Sequence, residues 1–159
     1  MKVFVGGPIQ YAIGQDGKFI NEIREKFERI INRLEKDGIQ VCSAHVEENY
    51  GESTDEYSNE QICIRDFSWM HECDKYISVF PNYEDGRIIH SGGTNVELGW
   101  ATALNKDVII ICDHNKLHKL SKLIRGLNTI CRVDFIDLDL VLKDPECLVD
   151  KIKCLNGDK

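Results

Sequence analysis

The sequence predicts an α/β fold, a three-layer sandwich in which a five-stranded parallel sheet carries helices on both faces. Two observations lead there. Short β-branched runs recur along the chain, and the longer stretches between them have helical periodicity, the signature of strands joined by helical crossovers. Scale agrees: 159 residues, 42% hydrophobic and 30% charged, with 12 Gly and 3 Pro, match one globular domain over residues 1–159 built around a single core. No internal repeat and no linker composition interrupts it.

Strands are predicted near residues 2–6, 39–44, 75–80, 108–112 and 131–136. The first helix is the clearest, because Ile20, Ile23, Phe27, Ile30, Ile31 and Leu34 recur at three and four residues opposite Glu22, Glu25, Lys26 and Arg29, and Gly38 closes it. Further helices are expected from Ser58 to Cys73, Thr94 to Leu104, Leu117 to Arg125 and Pro145 to Leu155. Right-handed crossovers give the flavodoxin-like strand order 2-1-3-4-5, and ligands of such sheets sit beyond the carboxyl ends of the strands where the order reverses. The loops after strands one and three, Gly6 to Tyr11 and Pro81 to Gly93, are therefore the expected site.

Composition removes several function classes. The longest apolar run, Val108 to Cys112, is five residues, against about 20 for a bilayer helix, so no membrane association is expected. The opening Met1 to Gly6 reads as a strand rather than a signal peptide. A net charge of −7 with no extended Lys/Arg cluster argues against nucleic acid as a partner. The odd count of seven cysteines, with no C-x-x-C pair, reads as reduced core thiols of a cytoplasmic protein. Cys73 near His71 and Cys42 near His45 match no zinc spacing, and no metal is expected.

Chemistry concentrates in two places. In His90-Ser91-Gly92-Gly93-Thr94-Asn95-Val96-Glu97, glycines run into a helix start whose free amides and dipole suit an anion. Thr94-x-x-Glu97 is also a capping box, which by itself serves only the helix. The second place is Asp66, which shares a helical stripe with Ile62, Trp69 and Cys73. Burial there raises a carboxyl pKa and suits a general acid, whereas pairing with Arg65 or Lys75 at the surface is the plain alternative. Asp74 reads as a turn residue.

Asp66, Asp74, the following strand and Ser91-x-Gly-Thr-x-x-Glu97-Leu98-Gly99-x-Ala101 resemble the nucleoside 2-deoxyribosyltransferase superfamily. The likeness runs from Val3-Phe4-Val5-Gly6-Gly7-Pro8-Ile9 through Ala44-His45-Val46 to Leu120-Ser121-Lys122-Leu123-Ile124-Arg125-Gly126, and these outer segments are similar to the branch that hydrolyses nucleoside 5′-monophosphates. The resemblance implies that Glu97 is the nucleophile, that Asp66 serves the departing base, and that no cofactor takes part. Ser91 stands where the transferases carry an Asp; a hydroxyl donates to a phosphate that a carboxylate would repel. With Gly93 and Thr94 it is expected to hold phosphate, and Ser121 is implied to complete the neighbouring site of a homodimer.

Phe4 stands where relatives place a Tyr that contacts the nucleophile. Its missing hydroxyl is expected to leave room and a lone pair on Glu97 for a ribose 2′-OH, as in CMP and hydroxymethyl-CMP N-glycosidases; a plain core Phe is the alternative. Gly7 and Ile9 belong to the loop after strand one. Gln10 reads either as a base-contacting amide or a loop residue, and His45 either braces Asp66, lines the pocket or is structural. The six carboxylates between Glu47 and Glu60 read as a solvated mobile loop or a lid. The expected activity is hydrolysis of a pyrimidine ribonucleoside 5′-monophosphate, CMP or its 5-hydroxymethyl form, through ionised Glu97 and protonated Asp66. A deoxynucleotide hydrolase, a base-exchanging transferase and a non-catalytic nucleotide-binding module are the competing readings.

Overall fold

The structure, a computed structural model, describes residues 1–154. Its five strands are β1 (Lys2–Gly6), β2 (Gln40–Cys42), β3 (Lys75–Phe80), β4 (Asp107–Cys112) and β5 (Val133–Asp137). All pair in parallel, in the order β2-β1-β3-β4-β5. Parallel strands covered on both faces have little polar content, and β3 is buried along its whole length. Its Lys75 is 1% exposed and is held by Asp107 Oδ2 at 2.8 Å.

Alternation along the strands divides the core in two. Val3, Val5, Ile77, Val79, Ile109 and Ile111 face α1 (Asn21–Lys36), α6 (Leu138–Lys143) and α7 (Glu146–Cys154). Phe4, Tyr76, Phe80, Val108 and Ile110 face α3 (Asn59–Glu72) and α4 (Gly92–Ala103). The predicted stripe of α1 is buried at Ile23, Phe27, Ile30, Ile31 and Leu34, each contributing about 1.5–3 kcal/mol of hydrophobic stabilisation. Gly38, at φ +76°, ends the segment as expected. Asp74 ties β1 to the start of β3, its Oδ2 accepting from the Lys2 amide at 2.8 Å.

Four expectations are corrected. The helix placed over 117–125 is a 3-10 turn, His114–Lys119, followed by extended Leu120 and the single-turn α5 (Lys122–Arg125), because Ser121 Oγ accepts from the Ile124 amide and starts a new helix. The expected final helix is present as α7, but an additional short helix, α6, capped by Asp137, precedes it where none was expected; Leu155, the expected end of α7, lies outside the described residues. The stretch from Glu47 to Glu60 is folded against the body. It follows α2 (Ala44–Glu47) and turns through Asn49, Tyr50 and Gly51, all at positive φ. Tyr50 is buried against Phe19 with Arg24 over its ring at 4.4 Å, and Glu48 is buried too. Finally, only Cys73 and Cys112 are buried, while Cys63 and Cys154 are exposed.

Candidate active site

Parallel strands β1 and β3 end side by side, and the chain leaves them in opposite directions, opening a crevice of about 170 Å³. Gly7, Ile9, Gln10, His45, Asp66, Ser91, Gly93, Thr94 and Glu97 all line it. Nine of the eleven residues singled out from the sequence thus converge. Roomier depressions elsewhere contain neither of the two expected catalytic carboxylates.

Glu97 lies in the second turn of α4 and is 8% exposed. The Thr94–Glu97 capping box does not form: Ser91 is the N-cap residue, Thr94 is already inside the helix, and Glu97 turns toward the sheet. There its Oε2 accepts a 2.5 Å hydrogen bond from the Tyr76 hydroxyl of β3. Burial pushes the Glu97 carboxyl up to about 8; Tyr76 opposes that shift, and the nearby Asp66 carboxylate adds to it. Thr94 is 1% exposed, and its hydroxyl has no hydrogen-bond partner among the described residues. The first amides of α4 also have no intrahelical acceptor, so this end of the crevice is rich in unused donors.

Asp66 comes from α3, whose start is fixed by a true capping box between Ser58 and Gln61. It is 7% exposed and paired with Arg65, Nε to Oδ1 at 2.8 Å, so the expected alternative of an ion pair is realised in a buried setting. Lys75 is committed elsewhere, to Asp107. Burial raises the Asp66 pKa while Arg65 pulls it down. Both carboxyls are thus moved toward the neutral form, as expected for Asp66, and Glu97, expected to be ionised, is moved further.

The floor demands glycine. A Cβ on Gly6 would run into both Glu97 Oε2 and the Tyr76 hydroxyl, and one on Gly7 would meet the Phe27 ring and lie 2.9 Å from the Val79 carbonyl oxygen. Gly6→Ala is therefore expected to displace the carboxyl and to lower any activity that depends on Glu97 about 100-fold at unchanged far-UV circular dichroism.

His45 lines the crevice without touching Asp66. It is fully buried, stacked on Phe27 at 3.8 Å, with Nε2 donating to the Pro8 carbonyl oxygen at 3.2 Å and Nδ1 facing Ser43 Oγ at 3.4 Å. Burial pushes its pKa down to about 4, so it is a neutral brace for the loop after β1. Gln10 is exposed at the rim, at the start of a 3-10 turn.

Two sequence-derived positions fall outside. Phe4 is a fully buried core residue, edge-on to Trp69 at 5.7 Å and Tyr76 at 5.3 Å, and does not line the crevice. Its missing hydroxyl leaves no vacancy on Glu97 Oε2, because Tyr76, its register partner on β3, supplies one. Ser121 is exposed in a separate depression with Asn95, Leu98 and Gly99. Sequence reasoning overlooked Tyr76, Glu48 and Thr54. The signal for Tyr76 was available, since even-numbered β3 residues face α3 and α4; nothing separated Glu48 from its exposed acidic neighbours. Among the described residues no group of three or more His, Cys, Asp or Glu is placed to hold a metal ion.

Fold and crevice together define a doubly wound α/β domain with buried paired carboxyls at its topological switch point. The chain belongs to the nucleoside 2-deoxyribosyltransferase family, whose profile matches residues 13–150. Among solved structures it is similar to the CMP N-glycosidase BcmB of Clostridium botulinum, at 25% identity over 86% of this chain and 88% of that one, with a TM-score of 0.57. The solution structure of BlsM is similar at 25% identity over 88% and 83% of the two chains, TM-score 0.68. A conserved protein from Enterococcus faecalis V583, 14% identical over 91% and 96%, TM-score 0.59, shares the fold. No curated protein matches the sequence significantly.

Proposed function

We propose that the protein hydrolyses the N-glycosidic bond of a pyrimidine ribonucleoside 5′-monophosphate, CMP or its 5-hydroxymethyl form, to free base and ribose 5-phosphate. The observation that carries this reading is one crevice holding two buried carboxyls, Glu97 and Asp66, beside the donor-rich start of α4. Similarity to a CMP N-glycosidase supports the substrate class.

The chemistry follows from placement. Phosphate sits against the α4 amides near Gly93 and Thr94, the Thr94 hydroxyl and Ser91, which brings the ribose over Glu97. Tyr76 occupies Oε2, and no hydrogen bond to Oε1 is found among the described residues, leaving that oxygen to face the sugar. Glu97 attacks C1′, the C–N bond breaks with its electron pair going to the base, and Asp66 gives the base a proton. Water, deprotonated by Asp66, then adds to C1′ and releases Glu97. The reactive form needs the pair's single proton on Asp66 while the resting form keeps it on Glu97, so a proton moves between the two before attack.

Ser121 enters this scheme only from a second copy. It lies outside its own crevice, flanked by Leu123 and Ile130, which are 84% and 73% exposed, an apolar surface suited to a homodimer that brings this serine to the neighbouring phosphate.

The test is a panel of cytosine and uracil ribo- and deoxynucleosides with their 5′-mono-, di- and triphosphates, assayed for free base by chromatography. Release from ribonucleoside monophosphates alone is expected, and Thr94→Val should raise KM about tenfold with little change in kcat. Product formation only when a second free base is added would establish the transferase instead. Binding without release would leave a nucleotide-binding module.

A further inference from the structure

Away from the α4 start, the crevice is walled by groups the reaction leaves unused. Glu48 and Thr54 face it there, beside Ile62 and Asp66. Glu48 is 3% exposed. Its Oε1 accepts from Arg65 Nη2 and its Oε2 from Thr54 Oγ1, each at 2.5 Å. The backbone directly after it passes through three consecutive positive-φ residues, Asn49, Tyr50 and Gly51, with the Tyr50 amide bonded to the His45 carbonyl oxygen at 2.6 Å. Two of these are not glycine, a strained arrangement that surrounding packing has to enforce. Glu48 is thus a fixed part of the wall.

Arg65 does not line the crevice; it stands behind and joins the two carboxyl groups, Nε to Asp66 and Nη2 to Glu48. One guanidinium thus holds the two carboxyl groups side by side, and both line the crevice. One cation serves two buried carboxyls, and a carboxylate has about four lone-pair sites, of which Glu48 uses two. Both residues line the cavity, and a buried acceptor surplus is costly until a donor arrives.

We propose that Glu48 reads the 4-position of the pyrimidine and selects a 4-amino base over a 4-oxo base. This rests on the proposed hydrolysis, with Asp66 at the 2-oxygen side. A 4-amino group donates to the carboxylate, whereas a 4-oxo group sets lone pairs against lone pairs. Thr54 and Arg65 hold Glu48 in register for that contact.

The test compares CMP and UMP in wild type, Glu48→Gln and Thr54→Val, by kcat/KM for base release and by calorimetric binding to the same proteins carrying Glu97→Gln. Wild type is expected to favour CMP at least about tenfold. Glu48→Gln, whose amide both donates and accepts, is expected to erase that preference, with CMP slowed and UMP unchanged or improved. Thr54→Val should weaken it less. Equal use of CMP and UMP by wild type, or equal slowing of both in Glu48→Gln, overturns the assignment and leaves Glu48 a mere counter-ion for Arg65. Amino-selective binding lost in Glu48→Gln, without base release by wild type, keeps the assignment and sinks the hydrolase. No binding of either nucleotide sinks both.

Discussion

Glu97→Gln is expected to lower base release at least about 1000-fold while nucleotide binding stays detectable by calorimetry. The same substitution should make the protein more stable. Glu97 titrates near 8 in the folded chain against an ordinary value of 4.5, because burial disfavours its charge. Between those values the folded protein keeps a proton that the unfolded chain has given up, so stability falls as pH rises through that window, and the penalty is complete above about pH 8. Glutamine never ionises. The variant's advantage should be absent near pH 4 and reach roughly 5 °C in melting temperature at pH 8.5, readable by differential scanning fluorimetry. A variant that loses activity without this pH-dependent gain would show that Glu97 is not the buried, destabilising carboxyl described above.

Tyr76→Phe is expected to produce the second large effect, through its hydrogen bond to Glu97, the proposed nucleophile, rather than through substrate contact. In the proposed mechanism the reactive form carries one proton on the Glu97–Asp66 pair, placed on Asp66. The kcat/KM profile therefore falls on the alkaline side near pH 8, where the pair loses that proton. The Tyr76 hydroxyl favours ionised Glu97. Without it the alkaline limb should move to higher pH, and the plateau should drop about tenfold or more, since a hydrogen bond to a charged group contributes about 1.5–3 kcal/mol and fewer molecules then hold the proton on Asp66. Phenylalanine keeps the edge-on packing against Phe4, so melting behaviour should change little. A lower plateau with an unmoved limb would mean that Tyr76 serves packing alone.

Legibility in the sequence followed the length scale of the signal. The sheet and its order were legible because β-branched runs and amphipathic α1 are repeated, redundant patterns; even the switch point, and with it Glu97 and Asp66, could be located. Local competition was harder to read. Thr94-x-x-Glu97 has the pattern of a cap, yet Ser91 takes the cap position, while the real box, Ser58 with Gln61, starts α3. Both sequences satisfy the same hydrogen-bond rule, and only the position of the sheet decides which glutamate or glutamine folds back. Tyr76 was hidden by register: its role appears only when β1 and β3 are paired so that Phe4 and Tyr76 stand side by side. Glu48 was hidden by company, one buried carboxylate in a run whose other five members are exposed. Its burial depends on tertiary contacts from Arg65 and Thr54 that sequence spacing does not encode.

The central claim, a covalent bond between Glu97 and the anomeric carbon, is tested most directly by stereochemistry. Cleavage of CMP in dilute methanol is expected to yield methyl riboside 5-phosphate, an acetal that does not mutarotate and whose anomeric configuration nuclear magnetic resonance therefore assigns. Two successive displacements predict the β configuration of the substrate in the methyl product. The α product would contradict the account, since it requires solvent to attack C1′ directly with Glu97 as a bystander.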